Sequence, residues 1–160
     1  VIAHRETRIV PYPAELMYAV VADVEKYPEF LPWVVALRVL TRRDDGMTAE
    51  MAVGYGGLRE RYTSDVALDP VARKIDVVQI HTGKMAGPFR QLENHWRFTP
   101  LNHEKGRESC EVEFSILFEF SNPLLHKVAG MAFEKVMLKM ADAFEARAKT
   151  LASTSEALGH

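Results

Sequence analysis

The sequence predicts one α+β domain, with a long C-terminal helix lying across a curved antiparallel sheet of about seven strands. Three observations predict it. Apolar and polar residues alternate through most of residues 34–120, the period of strands with one buried and one wet face. Short turn signals separate the alternating runs, which argues for consecutive hairpins. From Pro123 the period becomes helical and persists for about 27 residues, roughly 40 Å of helix.

Residues 4–10 read as the first strand, stopped by Pro11-Tyr12-Pro13. Leu16, Met17, Val20, Val21 and Val24 follow at the spacing of an amphipathic helix. Pro28 and Pro32 forbid that helix from continuing, so residues 27–33 read as a second, short helical piece. The sheet resumes at Val34, where Val35, Leu37 and Val39 alternate with Ala36, Arg38 and Leu40. Asp44-Asp45-Gly46 turns the chain into a strand carrying Met47, Ala49, Met51, Val53 and Tyr55 on one face. Gly54, Gly56 and Gly57 mark a bulge or sharp bend.

The next strand sets Leu58, Glu60, Tyr62, Ser64, Val66 and Leu68 against Arg59, Arg61, Thr63 and Asp65. Asp69-Pro70 turns it. Residues 74–81 form another strand whose faces stay unassigned, because Val77, Val78 and Ile80 break the alternation. Residues 85–89 read as a loop, and Leu92, Asn94, Trp96 and Phe98 then alternate with Glu93, His95 and Arg97. After a polar turn at 102–106, Cys110, Val112, Phe114, Ile116, Phe118 and Phe120 form the clearest buried face in the chain.

That face needs a cover, and the last helix supplies it. Asn122 suits its N-cap and Pro123 its first position. Val128, Ala129, Ala132, Phe133, Val136, Met137, Met140, Ala141, Phe144 and Ala148 make its apolar stripe, with Gly130 the weak point. The order of strand, two short helices, six strands and a long helix is the helix-grip arrangement. The expected domain spans residues 1–152, with 153–160 a flexible tail.

Composition narrows the function classes. The 160 residues suit a single domain, and the net charge of −2 argues against nucleic-acid binding by bulk charge, so DNA is not an expected partner. The single cysteine, Cys110, excludes an internal disulfide and suits a reducing compartment. The opening Val1-Ile2-Ala3-His4-Arg5-Glu6 meets polar residues too soon for a signal peptide, and no apolar run is long enough to span a bilayer. The expected location is cytoplasmic, with any contact at the inner membrane peripheral.

Common catalytic signatures are missing. Gly54-Tyr55-Gly56-Gly57 lacks the Lys-Ser/Thr of a phosphate loop, and no Gly-x-Ser-x-Gly elbow occurs. The six histidines show no metal-ligand spacing, and Cys110 sits on an apolar strand face where a thiol packs rather than reacts. No catalytic residue, metal or required cofactor is expected. An acid/base site assembled from distant residues stays open, with Glu60, Arg61 and Tyr62 as its candidates.

Polar residues on the inward parity hold the interest. Glu60, Tyr62, Ser64 and Asn94 share faces with apolar neighbours, and a buried polar group without a partner costs on the order of 1–3 kcal/mol. They either satisfy one another, with or without water, or meet the polar end of an apolar ligand. Met131, Phe133, Met137, Met140 and Phe144 are likewise core or pocket lining, since adaptable methionines serve both. Phe30-Leu31-Pro32-Trp33 either caps the core or forms a portal or membrane-touching lip.

The run from Val24 to Trp33 resembles the coenzyme Q-binding START-domain family, within the polyketide cyclase/START-like superfamily. Residues 57–64, Gly87-Pro88-Phe89-Arg90-Gln91-Leu92 with Trp96-Arg97-Phe98, and Ala143-Phe144-Glu145-Ala146-Arg147-Ala148 carry the same likeness. It extends from about His4 to Leu151. The resemblance implies a hydrophobic tunnel between sheet and long helix. It also implies binding of ubiquinone or a related isoprenoid lipid, in support of respiratory electron transport or quinone biosynthesis.

The candidate ligand-binding residues are Phe30, Leu31, Trp33, Tyr55, Tyr62, Ser64 and Asn94, with Trp96, Phe114, Phe118, Phe133, Val136, Met137 and Met140. Within them Tyr62, Ser64 and Asn94 carry donors suited to quinone oxygens. The resemblance extends to close bacterial relatives described as toxins that bind the large ribosomal subunit, which makes the ribosome a second, less favoured partner. Related aromatase/cyclases supply an enzymatic alternative.

Overall fold

A computed structural model describes residues 1–55, 58–80, 88–101 and 108–158. The elements are β1 (Ile2–Val10), α1 (Ala14–Ala22), α2 (Tyr27–Phe30), β2 (Val34–Arg43), β3 (Gly46–Tyr55), β4 (Leu58–Asp69), β5 (Lys74–Ile80), β6 (Phe89–Leu101), β7 (Ser109–Phe120) and α3 (Pro123–Leu158). A single 3-10 turn, Val24–Lys26, joins α1 to α2.

The strands form one antiparallel sheet in the order β1-β7-β6-β5-β4-β3-β2. Consecutive hairpins run from β2 to β7, while β1 pairs β7 and becomes the far edge. Strands adjacent in the chain, β1 and β2, therefore lie at opposite edges. The α1–α2 segment has to cross the whole sheet to connect them, which places Met17, Val20, Val21 and Val24 in the core. The sheet is curved, and α3 packs against β7 and α1.

Local chemistry explains the element ends. Asn122 Oδ1 accepts from the Leu124 N–H at 2.8 Å, capping α3 where Pro123 begins it. The helix runs to Leu158, beyond the apolar stripe and through residues read as a tail. The β2–β3 hairpin needs Gly46, because a Cβ there would overlap the Val66 carbonyl oxygen of β4.

Two expectations about faces change. Val35, grouped by alternation with Leu37 and Val39, is 47% exposed and does not share their face. A register shift between Val34/Ala36 inserts an extra residue, so Val34 and Leu37 both point in while Val35 points out. Met131, grouped with the inward residues of the long helix, is 75% exposed. The faces of β5 resolve as Ile75, Val77 and Gln79 inward and Val78 outward, so its inner face holds an amide that the run of valines conceals. The bend at Gly56 and Gly57, the loop at 85–87 and the turn at 102–106 lie outside the described residues.

Two glycines should respond oppositely to alanine. Gly46→Ala forces backbone apart and should cost about 1–3 kcal/mol in urea unfolding. Gly130→Ala, whose Cβ would meet only the His126 ring at 3.8 Å, should stabilise by about 0.5–1 kcal/mol. Equal effects would refute this account of the hairpin.

Candidate functional site

The helix α3 is pinned to the sheet at two aromatic points. Phe133 meets Phe89 at 5.6 Å, Phe120 at 5.2 Å and Phe118 at 6.1 Å between ring centroids. Three turns later, Phe144 meets Trp96 at 5.0 Å, Tyr27 at 5.2 Å and Phe30 at 5.4 Å. These anchors lie about 16 Å apart along the helix. At the β1 edge, Arg8 of the strand reaches Asp142 at 2.8 Å and Glu145 at 3.1 Å, and pairs with Glu6. Arg147 lies 5.2 Å over the Phe30 ring and 3.6 Å from Glu29, tying the same end to α2.

Between the two anchors α3 presents Val136, Met137 and Met140, and there the sheet and helix do not close on each other. A partly open space of about 110 Å³ remains. Leu37 of β2, Ala49, Met51 and Val53 of β3, and Tyr62, Ser64 and Val66 of β4 form its floor, with Val77, Leu92, Asn94, Ile116 and Phe118 continuing it. Leu31 and Trp33 close one end, and Phe133, Val136, Met137, Met140 and Phe144 form the roof. The described lining contains no carboxylate, imidazole, guanidinium or amine.

Its polar groups are few, and most are already engaged. Asn94 Nδ2 donates to the Ser115 carbonyl at 3.0 Å, and its Oδ1 accepts from Trp96 Nε1 at 2.8 Å. Tyr62 donates its hydroxyl to the Met51 thioether at 3.1 Å, a weak acceptor. Tyr27 donates to the Val21 carbonyl. Burial raises the pKa of both phenols well above the ordinary tyrosine value. Among the described residues Ser64 Oγ has no hydrogen-bond partner, nor does Oε1 of Gln79, its cross-strand neighbour.

The structure sorts the candidate residues. Leu31, Trp33, Tyr62, Ser64, Asn94, Phe118, Phe133, Val136, Met137 and Met140 come together around the space. Trp96 and Phe114 do not: their rings pack on each other in a tilted pair at 4.5 Å in the core, Phe114 also facing His4 of β1. Strand parity sets the face of a residue and leaves its depth along the sheet open, and these two lie under α1 and the Phe144 anchor. Phe30 also falls outside the lining, held against Phe144 and Arg147. The segment 30–33 thus divides, with Leu31 buried in the core and Phe30 and Trp33 half-buried beside it. The Tyr55 side chain lies outside the described residues.

Leu37, Ala49, Met51 and Val53 line the space too and were legible only as one face of a hairpin. Gln79 went unread because β5 shows no clean alternation. Of the acid/base candidates only Tyr62 faces the space. Arg61 is on the outer face bonded to Glu50, and Glu60 is outside the lining. Burial, with a smaller contribution from Glu15, pushes the Cys110 thiol up to about 11, so it stays protonated at neutral pH.

Residues 10–145 match the family described as Polyketide cyclase / dehydrase and lipid transport. The chain is 36% identical over 147 residues to Ribosome association toxin RatA of Escherichia coli (strain K12), an alignment spanning 92% of this chain and 87% of the relative. It is 34% identical over 148 residues to Coenzyme Q-binding protein COQ10 homolog B, mitochondrial, of Xenopus laevis, spanning 92% of this chain and 58% of that protein. Among solved structures, the Zhui aromatase/cyclase from Streptomyces sp. R1128 superposes with a TM-score of 0.76 at 19% identity, covering 92% of this chain and 93% of that one. At that identity the likeness is one of fold.

The two buried phenols give the site a pH signature. Their folded pKa values exceed the unfolded value of about 10, so their stabilising contribution is complete below that pH and lost as pH rises above it. In an alkaline titration, the phenolate absorbance of Tyr27 and Tyr62 should appear only together with loss of circular dichroism. Full ionisation of every tyrosine near pH 10 in folded protein would contradict the burial described here.

Proposed function

The chain belongs to the Polyketide cyclase / dehydrase and lipid transport family, the START-like group its sequence resembles, and from that premise we propose that it binds an apolar guest between α3 and the sheet. The guest class is ubiquinone or a related isoprenoid lipid, and the role is that of a carrier with no cofactor of its own. One observation carries the reading: a space lined mainly by hydrocarbon and thioether side chains, in which the described titratable groups are two phenols held protonated. The coenzyme Q-binding name of the Xenopus laevis relative supports the choice of lipid.

Size sets the mechanism. A space of about 110 Å³ falls below the ~150 Å³ at which an engineered apolar cavity admits benzene, so a longer guest must displace part of the lining. Met51, Met137 and Met140 are the side chains to move, being flexible and, for Met51 and Met140, only partly buried. Burial of each tail CH₂ contributes ~0.8 kcal/mol, which offsets the displacement progressively as the tail lengthens. No described helix is long and apolar enough to cross a membrane, so lipid exchange would proceed from a peripheral contact at the inner membrane.

The name of the Escherichia coli relative favours a second reading, association with the ribosome. It would use the outer face of the protein and is compatible with an occupied interior.

Ala49→Leu should test the first reading, since Ala49 is 4% exposed and lines the space. Delipidated wild type should take up a ubiquinone analogue with quenching of tryptophan fluorescence, and the filled variant should lose at least about tenfold in affinity while its melting temperature holds or rises. A wild type that stays inert across the titration would sink the carrier reading. The ribosome reading predicts co-sedimentation with ribosomal subunits that weakens as salt is raised. Absence of the chain from the ribosomal fractions at low salt would end it.

A further inference from the structure

We propose that Ser64 and Gln79 form the polar end of the site and select a ligand bearing a hydroxyl donor, an alcohol, phenol or hydroquinone, over one whose polar end only accepts hydrogen bonds. This deepens the apolar-guest reading and rests on it.

The two residues face each other across the β4–β5 ladder. Both are nine-tenths buried, Ser64 being 6% and Gln79 9% exposed. They share the inward face with Val66 and Val77, which line the space together with Ser64 and Phe89, while Gln79 stands just outside that lining, bonded to Phe89. Ser64 Oγ and Gln79 Oε1 are the buried side-chain polar atoms left without a partner among the described residues. Asn94, their nearest analogue on the inner face, is satisfied at both ends.

The orientation of the Gln79 amide is chemically fixed. Its Nε2 donates to the Phe89 carbonyl at 2.8 Å. Turning the amide over would set Oε1 against that carbonyl oxygen, two acceptors at hydrogen-bond distance. Oε1 is therefore committed to accept, and it lacks a donor among the described residues. The Ser64 hydroxyl can both donate and accept. Directly opposed residues on antiparallel strands hold their Cβ atoms about 4.5–5.5 Å apart, so one hydroxyl between them can donate to Gln79 and accept from Ser64.

A carbonyl or ether oxygen meets only half of this demand. It accepts from Ser64 and leaves Gln79 Oε1 buried and unpaired, which disfavours its binding. For a quinone-type guest the consequence is redox selectivity: the hydroquinone carries the donor and the quinone does not. The sheet thus holds a group that distinguishes two ligands of nearly equal size and apolarity.

Calorimetric titration of the delipidated full chain with 4-pentylphenol and its methyl ether, 4-pentylanisole, isolates the donor. Decylubiquinol and decylubiquinone, compared under anaerobic conditions, repeat the comparison on a quinone head. The donor-bearing member of each pair should bind at least about tenfold tighter. Gln79→Met and Ser64→Ala should each bring that preference to within about threefold; the serine variant covers the case in which losing the Phe89 contact unfolds the glutamine variant. Equal affinities in the wild type, as an internal water already bridging the pair would produce, overturn the proposal and leave the apolar-guest reading standing. A preference that survives in both variants overturns the assignment to these residues. Failure of all four compounds to bind overturns the apolar-guest reading together with this one.

Discussion

The two-point attachment of α3 governs the rest of the molecule. Phe133 and Phe144 each sit in a cluster of aromatic rings at centroid distances of 5.0–6.1 Å. Edge-to-face pairs of this kind contribute about 0.5–1.5 kcal/mol beyond their burial, and each anchor makes several. A rigid helix fixed at two points against a curved sheet leaves a gap under its middle wherever the intervening side chains are too short to reach. Val136, Met137 and Met140 occupy that middle. The space is a consequence of curvature and anchoring, and needs no special residue to create it. Arg8, bridging Asp142 and Glu145, adds a polar tie between the helix and the β1 edge.

Polar chemistry under the helix is then a matter of which groups the fold satisfies. The Trp96–Asn94–Ser115 chain closes on itself, so Asn94 contributes polarity to the lining without asking anything of a guest. Ser64 and Gln79 differ. An unpaired buried acceptor lowers stability, and sequences satisfy local rules almost everywhere except where function intervenes. A hydrophobic pair at these positions, valine opposite leucine, would pack the β4–β5 ladder without that cost. The unsatisfied amide is therefore informative about ligand in a way that the satisfied one is not.

Much of this architecture is legible in the chain, and the failures have physical causes. Strands β3, β4 and β7 alternate cleanly because one face is packed and the other wet, and the α3 cap reads directly from Asn122-Pro123. Val35 misleads because a bulge adds one residue, which reverses parity locally, and no pattern of residue types announces it. Trp96 and Phe114 are buried on the inner face but stand apart from the lining. Periodicity reports direction from a strand, whereas distance from the cavity depends on where two anchors on another element land. Gln79 is hidden for a third reason: Val78 faces outward at 41% exposure, so the hydrophobic run Val77-Val78 resembles a strand buried on both sides.

The relatives carry names of two kinds, one of ribosome association and one of coenzyme Q binding, at 36% and 34% identity to this chain. Sheet geometry explains how one fold accommodates both. Successive side chains on a strand point to opposite faces, so Ala49 and Met51 meet the interior while Thr48 and Glu50 meet solvent or a partner. On β4 the same rule sends Ser64 inward and Arg61 outward to Glu50. Interior and exterior are thus written in alternate letters of the same strands. A change at Arg61 or Glu50 alters the charge offered to a macromolecule and leaves the lining untouched, and a change at Ser64 does the reverse. Fold membership consequently says little about which face is in use. What bears on the interior is the largely apolar composition of its lining and, beside it, a Ser64–Gln79 pair left unsatisfied among the described residues, the features from which a hydroxyl-bearing apolar guest is proposed.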